Sequence, residues 1–550
     1  MKNKSLLSGN EAVAEAALAS GVSLGTGYPG TPSTEILEHF AEIGGKAQWS
    51  PNEKVALEVG VGAAYGKARA LVTMKHVGLN VAADPFFTVA YTGVDGGLLI
   101  VSADDPGMSS SQNEQDNRHL AEAAEIPMLE PSDSQECYDF TVMAFELSEK
   151  WKIPVLLRMT TRVCHSKTVV TKSIKASKGY TDFSFVRDLR GKVMIPSNAR
   201  PAHVRLREKI AKLAEFNEES IFNRGENGNK NLGIITSGIS YQYVKEAEPD
   251  AGVLKLGMTY PLPVRKIKTF ADMYKRCNVI EEGDPYLYNS IRAAGINVGG
   301  KHDIFRLGEL NLRRVKKMLA GDNTPEEKLP PGKAPQLCPG CPHKSVYEVL
   351  KKLDCTVPGD IGCYSLGTLP PYEAMDTLLC MGAGITAGLG LRHILPEDRA
   401  MKVVSVIGDS TFMHSGITGL VDMVYNRPPT GHVVIVLDNS TTAMTGLQEH
   451  PGSGRDISHN PAYQVKIEDI ATAIGIENVD VVDLLKNPGD IEKLITKRIS
   501  EKKTSVIIAR RPCILALKQL SKKNIQHRTS NIEHPTSNIQ HPTSNIQHPT

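Results

Sequence analysis

Two short apolar runs, each ending in an acidic turn and separated by one helix's worth of chain, constrain this sequence more than any other feature. Val403-Val404-Ser405-Val406-Ile407 is continuous and rich in β-branched residues, the composition of a strand buried on both faces of a parallel sheet. It stops at Gly408-Asp409-Ser410. A helix-spaced stretch then runs through Val424 and leads to a second such strand, Val433 to Leu437, which stops at Asp438-Asn439. Strand, helix and parallel strand form one βαβ unit, so Asp409 and Asn439 stand at carboxyl ends of parallel strands, the edge where open α/β sheets take their ligands. Either turn alone is an ordinary turn; two at strand ends, one helix apart, describe a site. Mg²⁺ takes hard oxygen ligands, one or two from protein and others from phosphate. The Asp409 carboxylate, the Asn439 amide oxygen and a backbone carbonyl near Thr441 suit Mg²⁺ held on a diphosphate.

The same residues resemble the thiamine-diphosphate signature, Gly-Asp-Gly followed some two dozen residues later by Asn-Asn. Ser410 replaces the second Gly and Asp438 the first Asn. The continuation Thr441-Thr442-Ala443-Met444-Thr445-Gly446 is similar to the 2-oxoacid:ferredoxin oxidoreductases, and within them to the large subunits of the indolepyruvate ferredoxin oxidoreductases, over roughly residues 5 to 520. That resemblance implies thiamine diphosphate and Mg²⁺ at Gly408, Asp409, Ser410, Asn439, Thr441 and Met444. It also implies an α/β chain of several thiamine-diphosphate-binding-type doubly wound parallel sheets, with a transketolase C-terminal-like α/β domain.

Length and charge agree with a multidomain enzyme of this kind. At 550 residues the prior is three or four domains, and 47 glycines suit a fold with many tight βα turns. A net charge of +2 gives no electrostatic case for nucleic acid or an anionic membrane. No apolar run is long enough to span a bilayer, and the first ten residues lack the apolar core of a signal peptide. Nine cysteines, odd in number and unevenly spaced, read as cytosolic thiols and ligands rather than a disulfide frame. A cytoplasmic enzyme is expected.

Along the chain, residues 1–170 read as the pyrimidine-type domain, 171–230 as a polar connecting region, 231–325 as the transketolase C-terminal-like domain, 326–336 as a linker and 337–520 as the pyrophosphate-type domain. The loop Tyr28-Pro29-Gly30-Thr31-Pro32-Ser33 leads into a helix, with Ser33 as its expected N-cap. By the resemblance this loop faces the substrate, and Thr31 contacts the 2-oxo carboxylate. Thiamine enzymes set a carboxyl group against the aminopyrimidine ring. The glutamate opening a small-residue helix, with glycine nine positions on, selects Glu53; Glu58, on nearly the same side, is the runner-up. Lys75 and His76, at a strand end, suit an anionic substrate. The resemblance also gives Arg118 the substrate carboxylate, a task for which bidentate pairing favours arginine.

Cys338-Pro339-Gly340-Cys341 is a C-x₂-C pair with no disulfide context, and His343 lies too close to be an easy third zinc ligand. Cys363 and Cys513 each follow a strand-like segment. Four thiolates from separate strand ends suit a [4Fe–4S] cluster, and the family's catalytic subunits have this order of cysteines. The large subunits usually continue into a ferredoxin-like domain; here residues 521–550 are a seven-residue repeat whose prolines exclude a coiled coil, and disorder is expected there. The implied activity is oxidative decarboxylation of an aryl 2-oxoacid to the aryl-acetyl-CoA, with CoA, a small (beta) partner subunit in a hetero-oligomer, and ferredoxin as acceptor. A non-redox thiamine-dependent decarboxylase or carboligase, and a subunit that only binds its partner, are the alternatives.

Overall fold

The computed structural model describes residues 4–172, 179, 181–326, 336–484 and 489–519. The repeat tail and almost all of the expected linker lie outside these residues. Continuous apolar runs become fully buried strands. Leu98–Asp104, Ala70–Lys75 and Val155–Thr160 are buried at every position and form the centre of a seven-stranded sheet. From one edge the order is Met258–Tyr260, Met128–Leu129, Val155–Thr160, Leu98–Asp104, Ala70–Lys75, Leu24–Gly27 and Ala47–Trp49, parallel except for the first. The chain passes from Leu24–Gly27 out to the edge strand and returns to Ala70–Lys75 on the other side. The loops after Gly27 and Lys75 therefore flank a topological switch point, where such sheets bind ligands.

Residues 404–510 build a second parallel sheet in the order Val404–Gly408, His432–Asp438, Thr504–Arg510 and Asn478–Asp483. The segment from Thr356 to Pro358 lies beside its first strand through backbone bonds to Val404 and Val406. Asp360, Asp409, Asn439 and Cys513 thus all follow strands of one sheet at one carboxyl edge. A third sheet, Arg276–Ile280, Asn229–Ser237, Ala251–Leu256 and Arg224–Glu226, forms the middle of the chain. Its core is continuous with that of the first sheet, and Met258–Tyr260 crosses over to pair with Met128–Leu129.

Two local expectations change. The connecting region holds a 23-residue helix, Pro196–Glu218, whose polar composition masks its period; only Ala202, Leu206, Leu213, Asn217 and Glu218 are buried. The single helix expected after Asp409 is a short turn, Asp409–Thr411, then a π-helical turn, Phe412–Gly416, and then Ile417–Tyr425. Among the described residues no helix is long and apolar enough to cross a membrane.

Candidate active site

The carboxyl edges of the first and last sheets face each other, and the residues between them form the site. Asn52 caps the helix Glu53–Tyr65 by accepting from the Val55 N–H, which fixes Glu53 at the first helical position with 5 % of its surface exposed. Its Oε2 lies 2.8 Å from His414 Nε2, and the Asn52 amide donates to the His414 carbonyl at 2.9 Å. Gly78 leaves room for this carboxylate: a Cβ there would sit 2.6 Å from Glu53 Cγ and 2.7 Å from Oε1. His414 belongs to the π-helical turn, a feature that recurs at functional sites because one inserted residue re-aims the side chains beside it. Glu58 is exposed and pairs with Lys54 on the solvent face, so of the two glutamates only Glu53 reaches the site.

Tyr28 closes the same seam. Its ring meets His414 edge-on at 4.7 Å, and its hydroxyl is 3.0 Å from Ser410 Oγ, which is 2.7 Å from Thr442 Oγ1. Burial pushes the Tyr28 phenol far above its ordinary range, so it remains a neutral hydrogen-bonding group. Gly408 is required by packing, since a Cβ would sit 2.5 Å from the Tyr364 ring.

Asp409 is buried and accepts from the Ser440 N–H at 2.7 Å and from His450 Nε2 at 3.2 Å. Gly452 N–H donates to His450 Nδ1, leaving Nε2 to carry the proton directed at Asp409. Asp438 stands beside Asp409. Burial and that neighbour raise its carboxyl, while the Arg510 guanidinium 2.6 Å away draws it back. Ser440, with φ of 60°, is held in the left-handed region that points its N–H at both carboxylates. Asn439 Oδ1 accepts from the Thr441 N–H at 3.0 Å and keeps a second lone pair. A buried pair of carboxylates beside an amide oxygen is a hard donor set that fits Mg²⁺. Gln448 folds the 441–446 loop by accepting from Thr441 and Thr442, and its amide ties it to Glu38 of the first domain. Met444, on that loop, is half exposed.

Thr31 lies at the same edge, its carbonyl 3.4 Å from Ser110 Oγ. Lys75 donates to the Ser110 carbonyl at 2.8 Å, and Gly30 packs on its Cβ. Burial pushes the Lys75 ammonium down to about 8. His76 is fully buried, with Nε2 3.1 Å from the Asn113 carbonyl and Nδ1 unpartnered.

Two sequence-based assignments are corrected. Arg118 does not face this site. It is fully buried and bound to Asp116, Glu281 and the carbonyls of Glu282 and Asp284, which joins the first sheet to the third. Ser33 does not cap its helix with its side chain; its hydroxyl donates to the Gly30 carbonyl, and Thr34 Oγ1 accepts the Gly30 N–H.

Cys338, Cys341, Cys363 and Cys513 gather at the edge of the last sheet, where Cys513 N–H donates to the Asn439 carbonyl. Burial pushes the Cys363 thiol up to about 11, with Cys513, Cys338 and Cys341 adding to the rise. Among the described residues the sole trio of metal-ligating side-chain atoms within 4.8 Å of one another is Asp116, His119 and Asp284. No three of the four sulfurs lie within that distance of one another. Sequence reasoning missed His414 and His450 because lone histidines carry no spacing signal. His343 is 2 % exposed, and burial pushes it down to about 4.

Residues 15–199 match the thiamine-diphosphate-binding domain model of pyruvate flavodoxin/ferredoxin oxidoreductases, and 360–509 match the C-terminal thiamine-pyrophosphate-binding domain model of thiamine pyrophosphate enzymes. The indolepyruvate oxidoreductase subunit IorA of Archaeoglobus fulgidus is 40 % identical, across 93 % of this chain and 87 % of that one. Its counterpart in Methanothermobacter thermautotrophicus is 41 % identical across 94 % and 87 %. The solved 2-oxoglutarate:ferredoxin oxidoreductase of Magnetococcus marinus shares the fold, with a TM-score of 0.50 at 18 % identity over 58 % of this chain and 65 % of that one. By sequence over nearly its whole length, the chain belongs to the family of indolepyruvate oxidoreductase IorA subunits, within the 2-oxoacid:ferredoxin oxidoreductases.

Proposed function

We propose that this chain is the thiamine-diphosphate-binding subunit of an enzyme that oxidatively decarboxylates an aryl 2-oxoacid such as indolepyruvate, with CoA as acyl acceptor and ferredoxin as electron acceptor. The observation that carries the reading is the single seam where Glu53 meets His414 and Tyr28 meets Ser410 beside the Asp409–Asp438 pair. Thiamine diphosphate, when bound, would supply an electron sink for the charge left on the keto carbon as its bond to the carboxylate breaks. Asp409, Asn439 and Thr441 hold Mg²⁺ and through it the diphosphate. Gly408 lets the Tyr364 ring pack against the strand end, Ser410 fixes Tyr28, and Met444 lies on the loop beside the site. Glu53 holds and returns a proton at its carboxylate, which burial and the His414 contact keep aimed into the seam.

Thr31 and Lys75 take the substrate carboxylate, with His76 buried against the Asn113 carbonyl; Arg118 has no part in it. Cys338, Cys341, Cys363 and Cys513 would hold one [4Fe–4S] cluster at the same sheet edge, a group that would supply one-electron transfer there. A small partner subunit completes the CoA site in a cytoplasmic hetero-oligomer. The test is reduction of a viologen dye by indolepyruvate and CoA, using this chain co-expressed with the small subunit under anaerobic conditions. Dye reduction that needs both substrates, with about four irons per chain, is expected. Decarboxylation in an iron-free protein would replace this reading with a non-redox thiamine enzyme.

A further inference from the structure

Among the buried histidines of the described residues, His343 alone has neither ring nitrogen paired. It cannot relax toward solvent. It opens the ten-residue helix His343–Lys352, whose Val346, Tyr347, Val349 and Leu350 are buried in the core of the last domain, and the Tyr347 hydroxyl anchors that helix to the Tyr364 carbonyl at 2.7 Å. A neutral imidazole has one donor and one acceptor, and burying both unpaired destabilises the fold, whereas an apolar side chain of similar volume would not. A histidine kept in such a place has a partner that the protein chain does not provide. Asp409, in the turn proposed to bind Mg²⁺, is near enough for its charge to act on the ring, and the His343 backbone N–H is given to Cys341.

We propose that His343 is a diphosphate-positioning residue, whose ring N–H donates to an oxygen of a diphosphate held with Mg²⁺ at Asp409. The inference rests on the preceding reading of that turn as a diphosphate site. A charge-assisted bond from a fixed, dry imidazole orients the anion as well as holding it, and the helix beneath keeps the donor in place before the ligand arrives.

The probe is inorganic pyrophosphate with Mg²⁺, measured on the full-length chain by calorimetry and by thermal melting, so that no turnover is needed. His343→Leu is expected to melt at or above the wild-type temperature without ligand, because two orphaned polar atoms are gone. It should bind Mg²⁺-pyrophosphate about 10- to 100-fold more weakly, the range for a hydrogen bond to a charged group. His343→Gln, which keeps an N–H donor, should recover most of that affinity. Wild-type affinity in His343→Leu overturns the inference, and if that protein has also lost its iron the imidazole serves the cysteine site instead. Weakened binding that Gln does not restore, with a lowered melting temperature, also overturns it and makes the residue structural. No pyrophosphate binding by the wild-type chain overturns the diphosphate reading itself, and this inference with it.

Discussion

The first domain has two polar seams, and they are built on opposite principles. Where it meets the third sheet, Arg118 and Arg158 are surrounded by Asp104, Asp116, Glu130 and Glu281 and pair with these carboxylates, Arg118 also with the carbonyls of Glu282 and Asp284. Burial raises the carboxyls of Asp104, Glu281 and Glu282, while the neighbouring guanidiniums overcome burial at Asp116 and lower it. Where it meets the last sheet the hydrogen bonds include Glu53–His414, Asn52–His414, Tyr28–Ser410 and Gln448–Glu38, and in the last domain the buried His343 imidazole is left without a hydrogen-bond partner. Charge-paired groups of this kind are scaffold, because each guanidinium there already has its carboxylate partners, although Asp104 Oδ1 and Glu282 Oε2 are left without hydrogen-bond partners. The unsaturated seam is where a ligand restores the missing bonds.

The sharpest way to break this comparison is at the metal turn. Asp409→Ala removes a buried carboxylate from the proposed Mg²⁺ set and is expected to abolish measurable thiamine-diphosphate binding in calorimetry. Unchanged affinity would move the cofactor elsewhere. At the saturated seam the expected result is the reverse. Arg118→Met strands Asp116 and Glu281, and losing one partner of a buried ion pair costs about 3–5 kcal/mol. Thermal and denaturant unfolding should show that loss while cofactor affinity stays at wild-type level. A stable Arg118→Met protein with a raised KM for the 2-oxoacid would return Arg118 to the substrate.

Arg118 also shows how far the sequence could be read. The strands at 403–407 and 433–437 were legible because a buried parallel strand writes itself as an apolar run, and Asp409 and Asn439 followed from where those runs stop. The partners of Arg118 were not legible. Glu281 is 163 residues away and no local pattern announces it. The π-helical turn at Phe412–Gly416 escaped for another reason: one extra residue within a helix leaves the apolar spacing on either side intact, so the shift that brings His414 onto Glu53 exists only in three dimensions. Cys513 was found by its position after a strand, which is also why the Asn439 carbonyl reaches its N–H.

Glu53→Gln sharpens the reading of the unsaturated seam. The amide keeps the shape and contacts of the carboxylate but cannot hold a proton in the same way. Turnover is expected to fall about 10²- to 10⁴-fold, the usual range for general acid–base groups, with cofactor affinity retained. Glu58→Gln, on the solvent face, should match wild type. If the two phenotypes exchange, the wrong carboxylate has been assigned.

The smallest expected effect lies at the rim, and there pH provides the handle. Burial holds the Lys75 ammonium near 8, below the ordinary lysine range, with Asp105 partly opposing the shift. The sign follows directly: below about pH 8 the side chain is cationic and attracts the substrate carboxylate, and above it the charge is lost. KM for the 2-oxoacid should be flat near neutrality and rise above about pH 8, by up to about tenfold per unit, while kcat changes little because Lys75 is assigned to binding and not to proton transfer. Lys75→Met should raise KM at neutral pH and flatten its profile. Lys75→Arg, charged throughout, should keep KM low at alkaline pH if the longer side chain still reaches. A wild-type KM that does not vary across this range, or one that varies equally in Lys75→Met, would show that Lys75 serves only to hold the Ser110 loop. Its bond to the Ser110 carbonyl would then place it with Arg118 among the saturated groups of the scaffold.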